Sequence, residues 1–290
     1  MMAEDFDESA LAFGCGEDCL YGVLSMPRTP CRRGVLIVVG GPQYRAGSHR
    51  QFTLLARSLA ARGIAAMRFD YRGMGDSQGA ARDFEAIGDD VRAAIDTFMA
   101  AVPGLREVVL WGLCDAASAA ALYAAGDARV CGLVLLNPWV RTTEGIARAT
   151  LKHYYRGRLL EGAFWRKLVR GQFDLVGSLK SMAGLARAAA RPRAATPAAG
   201  GAGTAAASLP LPQRMHAGLR AFGGQVLIII AAADLTAREF CDLAGAPEWK
   251  RLLDGPRVQW RRLDRADHTF SRRAWRDQVS DWTHDWTRSW

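Results

Sequence analysis

No apolar run in this 290-residue chain approaches the roughly 18 residues needed to cross a bilayer as a helix. The longest run, Gln225 to Ala233, has the length of a strand. A secretion leader is not evident either. Met1 to Ser9 is acidic and lacks the basic-then-apolar order of such a leader, so a cytoplasmic location is expected. Cysteine is sparse, with six residues: Cys15, Cys19, Cys31, Cys114, Cys131 and Cys241. Cys15 and Cys19 stand four apart, and no Cys/His group elsewhere completes a zinc-finger spacing. Free thiols in a reducing compartment are therefore expected, and neither a metal nor a cofactor. Basic residues are not interleaved with aromatics in the manner of nucleic-acid motifs, which argues against a nucleic-acid partner. Lysine is nearly absent. Arginine carries the positive charge and alanine is heavily used, a pattern of coding bias more than of function.

Half of the residues are apolar, enough to bury a large core. The net charge of +9 is concentrated. Between Arg141 and Arg193 twelve Lys/Arg face three Asp/Glu, so the rest of the chain is balanced. Such a basic module reads as a solvated helical face. It also suits an anionic substrate, an acidic partner or peripheral contact with an anionic membrane surface.

Strand and helix patterns alternate through the first 140 residues. Cys19 to Met26, Gly34 to Val39, Ile64 to Phe69, Val108 to Trp111 and Val130 to Leu136 read as strands. His49 to Arg62 and Asp83 to Ala101 carry apolar residues at helical spacing, and an alanine-rich helix is expected up to about Ala125. This alternation implies a mostly parallel sheet with helices on both faces. From Arg141 to about Phe222 no strand pattern occurs. The stretch is read as a helical, basic lid insertion (141–222), with an Ala/Gly-rich flexible segment over 183–209. The core pattern resumes at 223 with a strand over Gln225 to Ala233 and another over Val258 to Leu263. Thr236-Ala237-Arg238-Glu239 reads as a capping box that starts a helix. A terminal helix places Trp275, Val279, Trp282 and Trp286 in one core-facing stripe.

Acyl transfer needs a nucleophile, a base, an acid that orients the base, and donors for the oxyanion. Cys114 lies between a strand and a helix within Gly112-Leu113-Cys114-Asp115-Ala116. Small residues two positions to either side suit a strained turn that exposes a nucleophile, and the following helix aims its amides at the sulfur. Ser118 is a rival one helical turn on, where a side chain packs rather than attacks. His268 follows the last strand, where the general base belongs. Asp234 follows the strand before it and is the candidate orienting acid, equally readable as a helix cap, with Asp264 and Asp267 as fallbacks. Gly40-Gly41-Pro42-Gln43 ends the first parallel strand, so the Gly41 and Asp115 amides are the candidate oxyanion donors. The order Gly41, Cys114, Asp234, His268, each at a strand end, is more specific than any one of them.

With these residues assembled, the chain resembles the α/β-hydrolase superfamily. Asp70-Tyr71-Arg72-Gly73-Met74-Gly75-Asp76-Ser77 is similar to a structural loop of many members. More closely, the chain resembles the exosortase A system-associated hydrolases of type 1. The stretches that carry this are Gly40 to Gln43, Gly47 to Arg50, Arg68 to Ser77, Trp111 to Ser118, Ala233 to Thr236 and Asp267 to Ser271. This resemblance implies a setting in bacterial exopolysaccharide and protein-sorting gene clusters, and a hydrolase without a defined substrate. A cysteine nucleophile also resembles the dienelactone hydrolases, although the insertion and the rest of the chain are not expected to match those compact enzymes. The expected activity is hydrolysis of an ester or thioester of a small acyl substrate by Cys114, His268 and Asp234, and the basic residues of the insertion suggest an anionic one. Acyl transfer to another acceptor, a catalytically silent scaffold, and a redox-sensitive Cys114 are the alternatives.

Overall fold

The computed structural model describes residues 6–29, 31–41, 43–140 and 209–290. The strands are β1 (Phe6–Cys15), β2 (Asp18–Pro27), β3 (Arg33–Val38), β4 (Ala66–Asp70), β5 (Glu107–Leu113), β6 (Val130–Leu136), β7 (Gln225–Ala231) and β8 (Val258–Leu263). The α-helices among the described residues are α1 (Gln51–Ala61), α2 (Gly88–Ala101), α3 (Asp115–Tyr123), α4 (Leu211–Ala221), α5 (Leu235–Ala244), α6 (Pro247–Leu253) and α7 (Arg273–Arg288).

Continuous apolar runs, rather than alternating ones, mark strands covered on both faces. That is the pattern of β3, β5, β6 and β7, and all four lie inside one eight-stranded sheet of order β1-β2-β4-β3-β5-β6-β7-β8. Strands β3 to β8 run parallel, while β2 is antiparallel to both β1 and β4. Because side chains alternate along a strand, Val35, Ile37, Val109 and Trp111 share one face. There they pack with Phe52, Leu55 and Leu59 of α1 and with Val279 and Trp286 of α7. Trp275 and Trp282 complete the stripe expected of α7, half-buried against the same cluster. Gly34 faces the opposite side, against Phe98 of α2.

Two elements were not foreseen. Strand β1 is mostly exposed between its buried ends Phe6 and Cys15, and it is held chiefly by pairing with β2. Glu8 within it accepts from Ser25 Oγ at 2.9 Å and forms ion pairs with Arg57 and Arg68. Helix α6 is only seven residues long, with Pro247 at its start and Trp249 fully buried. One expectation needs correction: α5 does not begin with a capping box at Thr236. Its N-cap is Asp234, whose side chain accepts from the Ala237 amide at 3.0 Å, two residues earlier in the chain.

The lid expected over 141–222, with its Ala/Gly-rich stretch, lies outside the described residues as far as 208. The chain divides into one compact unit of residues 1–140 and 215–290 and another of 141–214. In the first unit, Met215 and Leu219 of α4 are buried. No helix among the described residues is long and apolar enough to cross a membrane.

The Asp70 to Ser77 loop is built from buried charge. Asp70 accepts from the Arg45 amide at 2.6 Å and pairs with its guanidinium. Arg72 makes a two-pronged contact with Asp90 on α2, Nε to Oδ1 and Nη2 to Oδ2, both at 2.9 Å. Asp90 is fully buried, and its Oδ1 also accepts from the Arg72 amide at 2.8 Å. Removing one partner of such a pair strands the other charge in a low-dielectric interior. Asp90→Ala should therefore lower the unfolding free energy by about 3–5 kcal/mol, read from urea unfolding against the native chain. A loss below about 1 kcal/mol would show that Arg72 finds water instead.

Candidate active site

Cys114 sits where β5 ends and α3 begins, with φ 62° and ψ −122°. A non-glycine residue in that region is strained by roughly 1–3 kcal/mol and persists only where its surroundings over-determine it. Its amide donates to Leu136 O at 2.9 Å, and its carbonyl accepts from the amides of Ala117 and Trp139, each at 3.1 Å. Gly112 makes the turn sterically feasible, because a Cβ there would stand 2.6 Å from the Ala116 backbone. Cys114 is partly exposed. Ser118 is fully buried, and its hydroxyl donates to Trp139 O at 2.6 Å. That packing removes it as a rival.

His268 Nδ1 lies 2.8 Å from Asp234 Oδ2. Asp234 thus serves the ring and the α5 cap at once, and the two readings of this residue are compatible. Of the fallback carboxylates, Asp264 is exposed and paired with Arg262 at 2.9 Å, while Asp267 binds the Ser271 amide at 2.9 Å and its hydroxyl. Neither is at the ring. Burial acts to raise the Asp234 carboxyl, but the hydrogen bond and charge of His268 hold it below the usual carboxylate range. His268 is pushed up to about 10 by its hydrogen bonds to Asp234 and then Cys114, partly opposed by burial. With Nδ1 given to Asp234, Nε2 is the atom left for the sulfur.

Asn137 is a positioning residue that the sequence showed only as the polar end of a strand. It is fully buried at φ 43°. Its Nδ2 donates to His268 O at 3.1 Å, and its Oδ1 accepts from the Ala231 amide at 2.8 Å. The strand ends of β6 and β7 are thereby tied to the histidine loop.

The oxyanion donors are not both open. The Gly41 amide, expected to be free, donates to Asp115 Oδ2 at 2.8 Å. Oδ1 of the same carboxylate accepts from the Ala116 amide at 2.9 Å. Burial raises the Asp115 carboxyl above its ordinary range, and the amides of Gly41, Ala116 and Asp115 itself only partly offset this. Among the described residues no group of three or more His, Cys, Asp or Glu could hold a metal ion.

The sheet order, the turn at Cys114 and the position of His268 after the last strand define an α/β-hydrolase fold. The model of the hydrolase family described as serine aminopeptidase, S33, matches residues 30–238, and the chain belongs to that family and is a hydrolase. The residue at this chain's elbow is nonetheless cysteine. Among solved structures, an esterase of Pyrococcus furiosus is 14% identical with a TM-score of 0.64, covering 98% of this chain and 92% of that one. A dienelactone hydrolase of Anabaena variabilis is 15% identical with a TM-score of 0.58, covering 97% of each chain. The Butyrivibrio proteoclasticus protein Est1E, solved with ferulic acid, is 15% identical with a TM-score of 0.59, covering 95% of this chain and 97% of that one. No curated protein matches the sequence.

Two outcomes follow from this geometry. The folded pKa of His268 is raised, so its charged form stabilises the fold fully below the free imidazole value near 6.5, and that contribution disappears as pH rises through about 10. The stability difference between the native chain and His268→Gln should shrink from about pH 7 to about pH 10.5 in denaturant titrations; a constant difference would argue against the charged pair. Asn137→Ala should lower stability by about 1–3 kcal/mol by stranding the Ala231 amide, and should weaken any chemistry that depends on His268. Unfolding midpoints and Cys114 labelling rates, measured together, check this.

Proposed function

We propose that the chain is an acyl hydrolase of the ester or thioester type, with Cys114 as nucleophile, His268 as base and Asp234 as the group that orients the ring. The observation that carries this reading is the 2.8 Å contact of His268 Nδ1 with Asp234 Oδ2, which leaves Nε2 for Cys114, whose proximity also raises the imidazole. The thiol proton rests on His268 before attack, sulfur then bonds to the acyl carbon, and the leaving group takes the proton from the imidazolium as it departs. Water then releases the acyl group by the reverse use of the same base. The Asp115 amide at the start of α3 is one oxyanion donor and the Gly41 amide the other, once free. The substrate is a small acyl compound, anionic if the basic residues of 141–193 form the lid over it. The sequence stretches shared with the exosortase A system-associated hydrolases favour a cytoplasmic role in an exopolysaccharide setting. Transfer to a sugar hydroxyl would use the same site.

A catalytically silent scaffold is the second reading. The occupied Gly41 amide favours it. The two readings differ in thiol reactivity. Burial pushes Cys131 up to about 11 and also raises Cys241, so both make unreactive internal controls.

Brief exposure to p-nitrophenyl acetate followed by intact-mass measurement should give one acetyl adduct, on Cys114. It should vanish in Cys114→Ala and form about 10²–10⁴ times more slowly in His268→Ala. Labelling that spreads over several cysteines regardless of His268 would support the scaffold.

A further inference from the structure

The Asp115 side chain occupies the place where an acyl oxygen must develop its charge. One of the two donors assigned to the oxyanion, the Gly41 amide, donates to this carboxylate at 2.8 Å. A second amide, that of Ala116, holds the other oxygen at 2.9 Å. The loop is shaped around the group: a Cβ on Gly40 would overlap Asp115 Oδ1 and stand 2.9 Å from Leu113 O. Gly41 itself is at φ 60°, which turns its amide toward the carboxylate. Such a cluster of amides at a helix start attracts any anion, and here the chain supplies its own.

We propose that the Asp115 carboxylate is an internal plug of the oxyanion site, so that Asp115 controls whether Cys114 can be acylated. This rests on the acyl-transfer reading above. In the resting chain the tetrahedral oxygen meets a carboxylate instead of a second amide, and repulsion replaces stabilisation. A substrate that turns over must displace the side chain and take the Gly41 amide from it. Reactions of Cys114 that build no oxyanion escape this control. Alkylation by iodoacetamide is one, because sulfur displaces iodide at a saturated carbon.

The two chemistries give a direct test in the full-length chain. The rate of Cys114 acetylation by p-nitrophenyl acetate is divided by the rate of its alkylation by iodoacetamide, which cancels changes in thiol reactivity. Asp115→Ala should raise this ratio at least about tenfold, with about 10²–10³, the scale on which one oxyanion donor acts, as its ceiling. Asp115→Ser should do the same and serves if the alanine chain fails to fold. Asp115→Asn, whose neutral oxygen still accepts from Gly41, should give a smaller rise. An unchanged or lower ratio in the alanine and serine chains, with the native chain still acetylated on Cys114, overturns the plug alone and makes Asp115 an anchor for the Gly40-Gly41 turn. No acetylation of Cys114 in any chain overturns the acyl-transfer reading, and the plug with it.

Discussion

A side chain can be held at φ 62° only if the surrounding backbone leaves it nowhere else to go. At Cys114 that condition is met by four backbone hydrogen bonds to its peptide groups and by the near-contact of Gly112 with Ala116. The turn starts α3 and sets where the amides of Asp115 and Ala116 point. The sheet must be parallel at this point, because only then do β5, β6 and β7 deliver their ends to the same edge. Everything chemical about the molecule follows from that shared edge.

The edge is stitched across strands. Cys114 is fastened to Leu136 at the end of β6, Asn137 to Ile229 and Ala231 at the end of β7, and the His268 loop to Asn137. Asp234, just after β7, closes the circuit at the imidazole. Buried polar networks of this kind hold one geometry because each member, moved alone, leaves a partner unsatisfied. The histidine is thus positioned by backbone contacts from a neighbouring strand as much as by its own loop.

The central fold was legible because its strands are continuous apolar runs with turn residues at their ends, and β6 and β8 fall at the residues the pattern indicated. Strand β1 was not legible. Its alternation, Leu11, Phe13 and Cys15 against Ala10, Ala12 and Gly14, is muted by small residues and preceded by the exposed Asp7, Glu8 and Ser9. Helix α6 is too short to show periodicity. At the candidate site, chain order was enough to single out Cys114, Asp234 and His268, which strand ends bring together. What it concealed was side-chain direction. That Asp115 turns back toward Gly41, and that Asn137 reaches the His268 carbonyl, depends on rotamers and loop paths that no local pattern encodes.

The two outermost strands carry a different consequence. An open sheet ends in rows of unpaired peptide groups that invite another chain to add on. Here one border strand holds Asp7, Glu8 and Ser9, and the other exposes Arg261 and Arg262. An incoming strand would have to desolvate acid at one border and guanidinium at the other. In a chain half apolar in composition, charge at these margins opposes the addition of further strands.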